Sequence, residues 1–286
     1  MKTRIKPIFI TIIFTVILWI FGCIISPRMF SVNYIIQQIY IASFLGIIAC
    51  GTTLVILLGH IDLSIPWTLT TAAIVSSGLL EKGSAVAILA GLSIGLFSGL
   101  FNSIGIVLLR VPSMIWTLGV NYVLLGFSVY LTGGYQPKGK PIAFMRYLAV
   151  GRTFLGIPNA IIVWLVISIV VIIFLKKTKY GRYIYAIGLS EKASYLSGIN
   201  TSLMTTLVFC IAGISNAFAG MMLAGYANQA YQAMGDKYPM QAIAAVVIGG
   251  TSILGGIGSY SGTIAGVILI TLISSLLSIM QIPEGV

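Results

Sequence analysis

Long apolar segments alternate with short polar ones along the whole chain. Six uninterrupted apolar runs each have the roughly 17–25 residues that a helix needs to cross the hydrocarbon core of a bilayer. They are Ile8–Ile25, Ile35–Leu58, Ala85–Leu109, Asn159–Leu175, Leu203–Tyr226 and Gly262–Met280. Three further segments are shorter or more polar, namely Trp67–Leu80, Ser113–Thr132 and Gln241–Ile257. The pattern predicts an all-α polytopic membrane protein with about nine transmembrane helices, in a single domain over residues 1–286.

Two of the apolar stretches are interrupted by residues that break helices. Residues 59–66 contain His60, Asp62 and Pro66, and residues 249–256 contain four glycines. Broken or re-entrant helices at corresponding places in two halves are typical of inverted-repeat transporters, although the similarity between the two halves is weak here. The breaks therefore indicate where a translocation pathway is to be expected.

Composition excludes a soluble protein. Hydrophobic residues make up 58% of the chain, charged residues 7%, and the mean hydropathy is +1.08, whereas a soluble domain has roughly a quarter of its residues charged. The net charge of +11 does not indicate nucleic-acid binding, because the basic residues flank the apolar runs. The three cysteines lie within those runs, so we expect neither disulfides nor a bound metal.

Basic residues at the start of the chain predict its orientation. Lys2, Arg4 and Lys6 place the N-terminus in the cytoplasm, ahead of an uncleaved first helix. Counting spans from there places residues 176–200 in the cytoplasm as well, in agreement with their five Lys and Arg residues. Gly133–Pro158 falls outside by the same count, against the positive-inside rule, since it carries four basic residues.

Asp62 is the only acid within the apolar body of the chain. A carboxylate at membrane depth is costly and normally faces a cavity or a partner. The interpretation that we favour is a cap: Asp62 would accept from the amide of Ser64 or Ile65 where the next helix begins. The alternative is that Asp62 lines the pathway and contacts solute.

Other polar residues are candidates for the lining of the pathway. Gly91, Gly95, Gly99 and Ser103 recur every four residues and predict close helix packing, with Asn102 beside them. Asn216 lies on a similar face of a later helix. For both asparagines, hydrogen bonds between helices and contact with a hydroxylated solute stay open as alternatives. Ser64 in the first break, and Thr251 and Ser252 in the second, complete the set.

Two motifs of enzymes occur without their structural context. Residues 134–140 fit the spacing of a phosphate-binding loop, but Pro141 replaces the hydroxyl residue that holds magnesium. Residues 91–95 fit the nucleophile motif G-x-S-x-G, yet they lie within a predicted spanning helix. Neither motif predicts catalysis.

Residues 176–200 form a polar, charged segment between two apolar runs. Within them, Ser190 is placed to cap a short helix over Glu191–Ser197 that Gly198 would end. A short amphipathic helix of this kind suits insertion into a groove on a partner protein.

This segment resembles the coupling loop of binding-protein-dependent ABC-transporter permeases, in the monosaccharide branch that imports ribose, xylose, galactose and related solutes. The matching positions are Thr178, Gly181, Arg182, Ala186, Ile187, Gly188, Glu191, Ala193, Leu196, Ser197, Gly198 and Ile199. Further matches are Ile61–Ser64, Gly99–Asn102, Val111–Pro112 with Thr117–Gly119, and Ala242–Ser252. The resemblance therefore covers nearly the full length.

The resemblance implies a permease subunit in a bacterial inner (plasma) membrane. It would dimerise with a second copy or a homologous permease, receive a solute from an extracytoplasmic binding protein, and bind two cytoplasmic ABC ATPase subunits. ATP and Mg²⁺ would be bound by those ATPases, so the chain itself would be neither an enzyme nor a holder of cofactors. The residues implied in ATPase coupling are Gly181, Arg182, Glu191, Ala193, Gly198 and Ile199. Members of the family continue with a further span, so we expect either a C-terminal truncation or a chain with one helix fewer.

Two other functions stay open beside the importer. An ion-coupled carrier or channel normally has several intramembrane acids, whereas only Asp62 qualifies here. The second is a truncated permease that no longer transports. A pathway without compensating charge favours a neutral polar solute, and the sequence does not choose among a pentose, a hexose, a furanosyl compound and a polyol.

Overall fold

The computed structural model describes residues 7–154 and 156–281, and this part of the chain is almost entirely helical. Its α-helices are α1 Pro7–Ile25, α2 Val32–Leu57, α3 Ile65–Gly78, α4 Ser84–Val107, α5 Ser113–Thr132, α6 Ala143–Val150, α7 Asn159–Lys177, α8 Lys179–Leu189, α9 Glu191–Leu196, α10 Thr201–Ala227, α11 Tyr238–Ile248 and α12 Tyr260–Ile279. Strands β1 Arg152–Phe154 and β2 Ile157–Pro158 pair antiparallel, and short 3-10 turns cover Pro27–Phe30 and Leu80–Lys82.

Seven of the described helices are long and apolar enough to cross a membrane: α1, α2, α4, α5, α7, α10 and α12. The predicted all-α polytopic class is confirmed. The predicted spans Trp67–Leu80 and Gln241–Ile257 need correction, because α3 and α11 have only 14 and 11 residues. At 1.5 Å per residue they are about 21 and 16 Å long, too short to cross alone. In the second case the helix ends at Ile248, where the glycine pair Gly249–Gly250 begins.

Helices α2 and α10 form the centre of the bundle. In the most apolar window of each, 89% and 72% of the residues are buried, against 11% for α1. Helix α10 packs on α2, α3, α4 and α6, while α1 packs on α12 at the periphery. The outer surfaces of α1, α4, α5 and α7 keep large apolar side chains exposed, as expected where lipid replaces water.

The contact between α4 and α10 is made by the predicted small-residue stripe. A Cβ on Gly95 would collide with the Gly213 carbonyl, and one on Gly99 would collide with the Phe209 carbonyl. The two backbones therefore touch, which confirms the predicted close packing.

Two segments expected to be loops are partly helical. Gly133–Pro158 contains α6, whose Met145 and Ala149 are buried, and the β1–β2 hairpin. Residues 176–200 contain α8 as well as the expected short helix α9. Helix α8 forms because Gly181, Ile184 and Ile187 recur every three residues and are buried together. Burial of this face offsets the conformational entropy that an otherwise polar segment loses when it becomes helical.

The connections sort to two ends of the bundle. The α9 end holds α8 and α9, the first break and the α4–α5 turn, whereas the α6 end holds α6 and the loops around residues 133–142 and 228–237. Lys2, Arg4 and Lys6 lie outside the described residues, as do residues 282–286. The cytoplasmic N-terminus therefore stays a prediction.

Candidate translocation pathway and coupling surface

The first break joins α2 to α3 over residues 58–64. The chain leaves α2 at Gly59, whose φ of +84° is readily adopted only by glycine. Asp62 Oδ1 accepts hydrogen bonds from the Ser64 amide at 2.8 Å and from the Ser64 hydroxyl at 2.6 Å. The predicted amide bond is thus present, although Ser64 rather than Asp62 occupies the N-cap position of α3. Asp62 stabilises the start of α3 from a buried position.

Asn102 joins this break to α4. Its Nδ2 donates to Ser64 Oγ at 2.8 Å and lies 3.5 Å from Asp62 Oδ1. One turn further along α3, the hydroxyls of Thr68 and Ser98 are 2.7 Å apart. The structure therefore brings Asp62, Ser64 and Asn102 into one buried polar cluster. The Asn102 Oδ1 atom is buried and has no partner among the described residues.

A polar stripe on α5, which the sequence did not identify as part of the site, supports the same break. Ser113 Oγ accepts from the Ile61 amide at 3.2 Å, and Thr117 Oγ1 accepts from the Leu63 amide at 2.9 Å. Asn121 Oδ1 accepts from the Trp67 amide at 3.3 Å. These amides lack helical partners because the chain is extended or at a helix start, so α5 supplies the acceptors. Spacing by four residues on a spanning helix was the available signal.

The remaining predicted pathway residues do not join the cluster by a described hydrogen bond. Asn216 is buried on α10, beside Ala217, which packs against Gly95. Thr251 is buried in the second break, and Ser252 accepts from the Leu254 amide at 3.2 Å. Asn216 Oδ1 and Thr251 Oγ1 are both buried without a partner among the described residues. Each could therefore accept a hydrogen bond from a bound molecule.

The two breaks touch each other. In the second break, residues 249–259, the Gly256 amide donates to the Leu57 carbonyl at the end of α2 at 2.9 Å. Gly255 has a φ of +87° and packs against the Gly59 backbone. Irregular backbone from two distant parts of the chain is thus paired inside the bundle, as membrane proteins require.

A cavity of about 1200 Å³ opens at the α9 end beside the first break. Gly59, His60 and Ile61 line one side, and Glu191, Lys192 and Tyr195 line the other. The His60 ring packs 5.9 Å from the Phe209 ring, between centroids. The cavity therefore connects the neighbourhood of the pathway residues to α9.

Helix α9 has the geometry predicted for it. Ser190 Oγ accepts from the Ala193 amide at 3.3 Å, and Gly198 follows the helix with a φ of +82°. Glu191 and Ala193 are exposed, and so are the apolar side chains of Tyr195 and Leu196, at 69% and 76%. Gly181 is buried on α8, Arg182 is exposed and Ile199 is half-buried. Apolar side chains exposed at a polar end of the bundle indicate a docking surface.

The two enzyme-like motifs lie outside the structural context that their chemistry needs. Residues 91–95 lie inside α4, and residues 134–140 lie in the irregular segment before α6. The described residues contain no group of three or more His, Cys, Asp and Glu side chains that could hold a metal ion.

Spanning helices, two paired breaks and a buried polar cluster beside a cavity define a membrane transport permease. The family described as "Branched-chain amino acid transport system / permease component" matches residues 34–284, and the chain belongs to this family of ABC-importer permeases. It is 34% identical over 266 residues to the ribose import permease RbsC of Haemophilus influenzae, covering 90% of this chain and 81% of that one. It is 32% identical over 274 residues to the autoinducer 2 import permease LsrD of Escherichia coli, and this match covers 93% of this chain and 82% of the relative. No solved structure gives a significant match.

Proposed function

We propose that the chain is the membrane subunit of an ABC importer for a neutral sugar or sugar-like solute. Separate ATPase subunits would bind the α9 end, and an external binding protein would deliver solute at the α6 end. By alternating access, the pathway would open first to one side of the membrane and then to the other. The observation that carries the proposal is the exposed α9, which lies beside the cavity and beside both breaks.

The polar atoms of the pathway support a hydroxylated solute. Asn102, Asn216 and Thr251 each keep a buried oxygen without a partner among the described residues, and these oxygens accept hydrogen bonds from hydroxyl groups. The two relatives named above are import permeases for ribose and for autoinducer 2, and the hydroxyl groups of a sugar such as ribose can donate to these acceptors.

The family description leaves an amino acid as the competing solute class. An amino-acid carboxylate needs a cation or a free helix N-terminus. In the described spanning helices, Lys and Arg occur only at helix ends, such as Lys176 and Lys177 of α7. The N-terminus of α3 already has the Asp62 carboxylate, which accepts from the Ser64 amide. A neutral solute is therefore favoured.

The docking proposal is tested by placing a charge on α9. Leu196→Glu should reduce co-purification of a co-expressed ABC ATPase subunit by about tenfold or more, because the substitution buries a charge in the proposed interface. The side chain is 76% exposed, so the permease itself should still fold and insert.

A matched control is Tyr135→Glu, which changes an apolar side chain of 75% exposure at the α6 end. It should leave co-purification unchanged. Equal recovery of the ATPase with Leu196→Glu and with the unmodified chain would contradict docking through α9.

A further inference from the structure

Helix α8 contacts both breaks at one point. A Cβ on Gly188 would collide with the Leu57 carbonyl, where α2 ends and the first break follows, and with the Gly256 amide nitrogen of the second break. These are the two groups that hydrogen-bond each other at 2.9 Å. The Leu189 side chain also packs against Gly256. The end of α8 is therefore seated on the hydrogen bond that joins the breaks.

A second contact lies one turn earlier on α8. The Tyr185 hydroxyl donates to the Gly258 carbonyl at 3.1 Å, across 73 residues of sequence. The Tyr185 hydroxyl is protonated at neutral pH, as tyrosine ordinarily is, and burial raises its pKa further, so it acts as a donor. The second break is thus held by α8 at Gly256 and at Gly258.

A single residue, Ser190, connects helices α8 and α9. Ser190 ends α8 through its amide, which donates to the Ala186 carbonyl at 3.1 Å. The same residue caps α9 through its hydroxyl. A single residue between two helices transmits a displacement of one to the other, whereas a flexible loop would absorb it.

We propose that α8, through Tyr185, Gly188 and Leu189, transmits movement of the ATPase-docking helix α9 to both breaks at once. The inference rests on the proposed importer function. It assigns Tyr185, Gly188 and Leu189 as positioning residues: they touch neither solute nor nucleotide, and they act on the pathway by holding residues 57–59 and 255–258 together. The polar cluster around Asp62 lies five residues beyond Leu57 and would follow that movement.

The test follows the first break directly and needs no knowledge of the solute. A His60→Cys substitution places a thiol in the cavity at the α9 end, where a water-soluble maleimide can reach it. The purified permease–ATPase complex is labelled with and without ATP and vanadate, and the change in labelling rate reports movement of the break. The chain without His60→Cys gives the background from Cys23, Cys50 and Cys210.

Two variants remove the contacts of α8 without changing α9. We expect Tyr185→Phe to reduce the nucleotide-dependent change in labelling about two- to tenfold, the factor that one net hydrogen bond contributes to an equilibrium. Leu189→Ala should reduce it as well, and its side chain is 68% exposed, so folding is little affected. Tyr183→Phe, on the same helix and without a described hydroxyl bond, should leave it unchanged.

The outcomes separate the two proposals. Failure of the unmodified chain to co-purify with the ATPase would overturn the importer function, and this inference with it. Intact co-purification and ATP hydrolysis with an unchanged nucleotide response in both Tyr185→Phe and Leu189→Ala would overturn the role of α8 alone. Loss of the response with retained co-purification and hydrolysis would support it.

Discussion

At the scale of single residues, Asp62 shows how a buried acid is accommodated in this bundle. Its Oδ1 accepts from the amide and the hydroxyl of Ser64, and Asn102 approaches from α4. Both bonds from Ser64 could equally be accepted by an amide oxygen. The hydrogen bonds from Ser64 therefore depend on the shape of the Asp62 side chain and do not require its negative charge.

Two substitutions of Asp62 distinguish a cap from a solute contact. Asp62→Asn should retain solute uptake within about twofold, because the amide oxygen of asparagine can accept both hydrogen bonds from Ser64. Asp62→Ala should destabilise the folded protein by about 1–3 kcal/mol, since buried Ser64 donors lose their acceptor. Thermal unfolding of the detergent-solubilised protein and uptake at matched membrane abundance measure the two effects. Loss of uptake in Asp62→Asn at normal abundance would show that the charge itself is needed.

The sequence predicted local contacts of the site better than distant ones. The bond from the Ser64 amide to Asp62 spans two residues and follows from local backbone geometry. The bond from Asn102 to Ser64 joins positions 38 residues apart and depends on how α3 and α4 pack. Thr117 and Asn121 were missed because a hydroxyl or amide on an apolar helix predicts that a partner exists, without identifying it.

At the scale of elements, α5 is a spanning helix whose polar stripe supplies hydrogen-bond acceptors to the break between α2 and α3 and to the start of α3. Its acceptors from Ser113 to Asn121 follow the backbone of residues 61–67, which has no continuous helical pairing. Apolar length alone predicted α5 with both bounds correct, Ser113 and Thr132. It did not predict α8, because the mean hydropathy of that segment is low and only one face is buried.

The stripe is tested by Thr117→Val, which keeps the shape of the side chain and removes the acceptor of the Leu63 amide. We expect a loss of about 1–3 kcal/mol in the free energy of unfolding, the cost of a buried amide without a partner. Thr206→Val is the control, since its hydroxyl donates to the Ser202 carbonyl of its own helix. Equal unfolding midpoints for the two variants would contradict the role given to the stripe.

At the scale of the whole molecule, the bundle combines closely packed helix pairs, one of which forms the seam tested below, with a region that contains a cavity. The seam lies between α4 and α10, where glycines allow backbone contact. The region around the breaks contains the cavity and the buried oxygens of Asn102 and Thr251, which have no partner among the described residues. Movement is therefore expected beside the breaks, with the seam as the fixed part.

Alanine substitutions of glycine test this division. Gly95→Ala forces the two backbones apart and should destabilise the protein by about 1–3 kcal/mol, as overpacking does. Gly126→Ala on α5 has open space around its Cβ and should be neutral or stabilising by up to about 1 kcal/mol. Thermal unfolding of both proteins in the same detergent is the measurement. A destabilised Gly126→Ala with an unaffected Gly95→Ala would reverse the assignment of the seam.

The placement of Lys and Arg at the ends of the spanning helices has an energetic consequence. An elementary charge that crosses a membrane gains or loses about 2.3 kcal/mol per 100 mV of potential. A neutral solute, as proposed above, carries no current when it moves between the described spanning helices, whose Lys and Arg lie only at helix ends, so the membrane potential does no work on it. Accumulation would then depend on nucleotide hydrolysis alone, and a depolarised cell would keep its capacity for uptake.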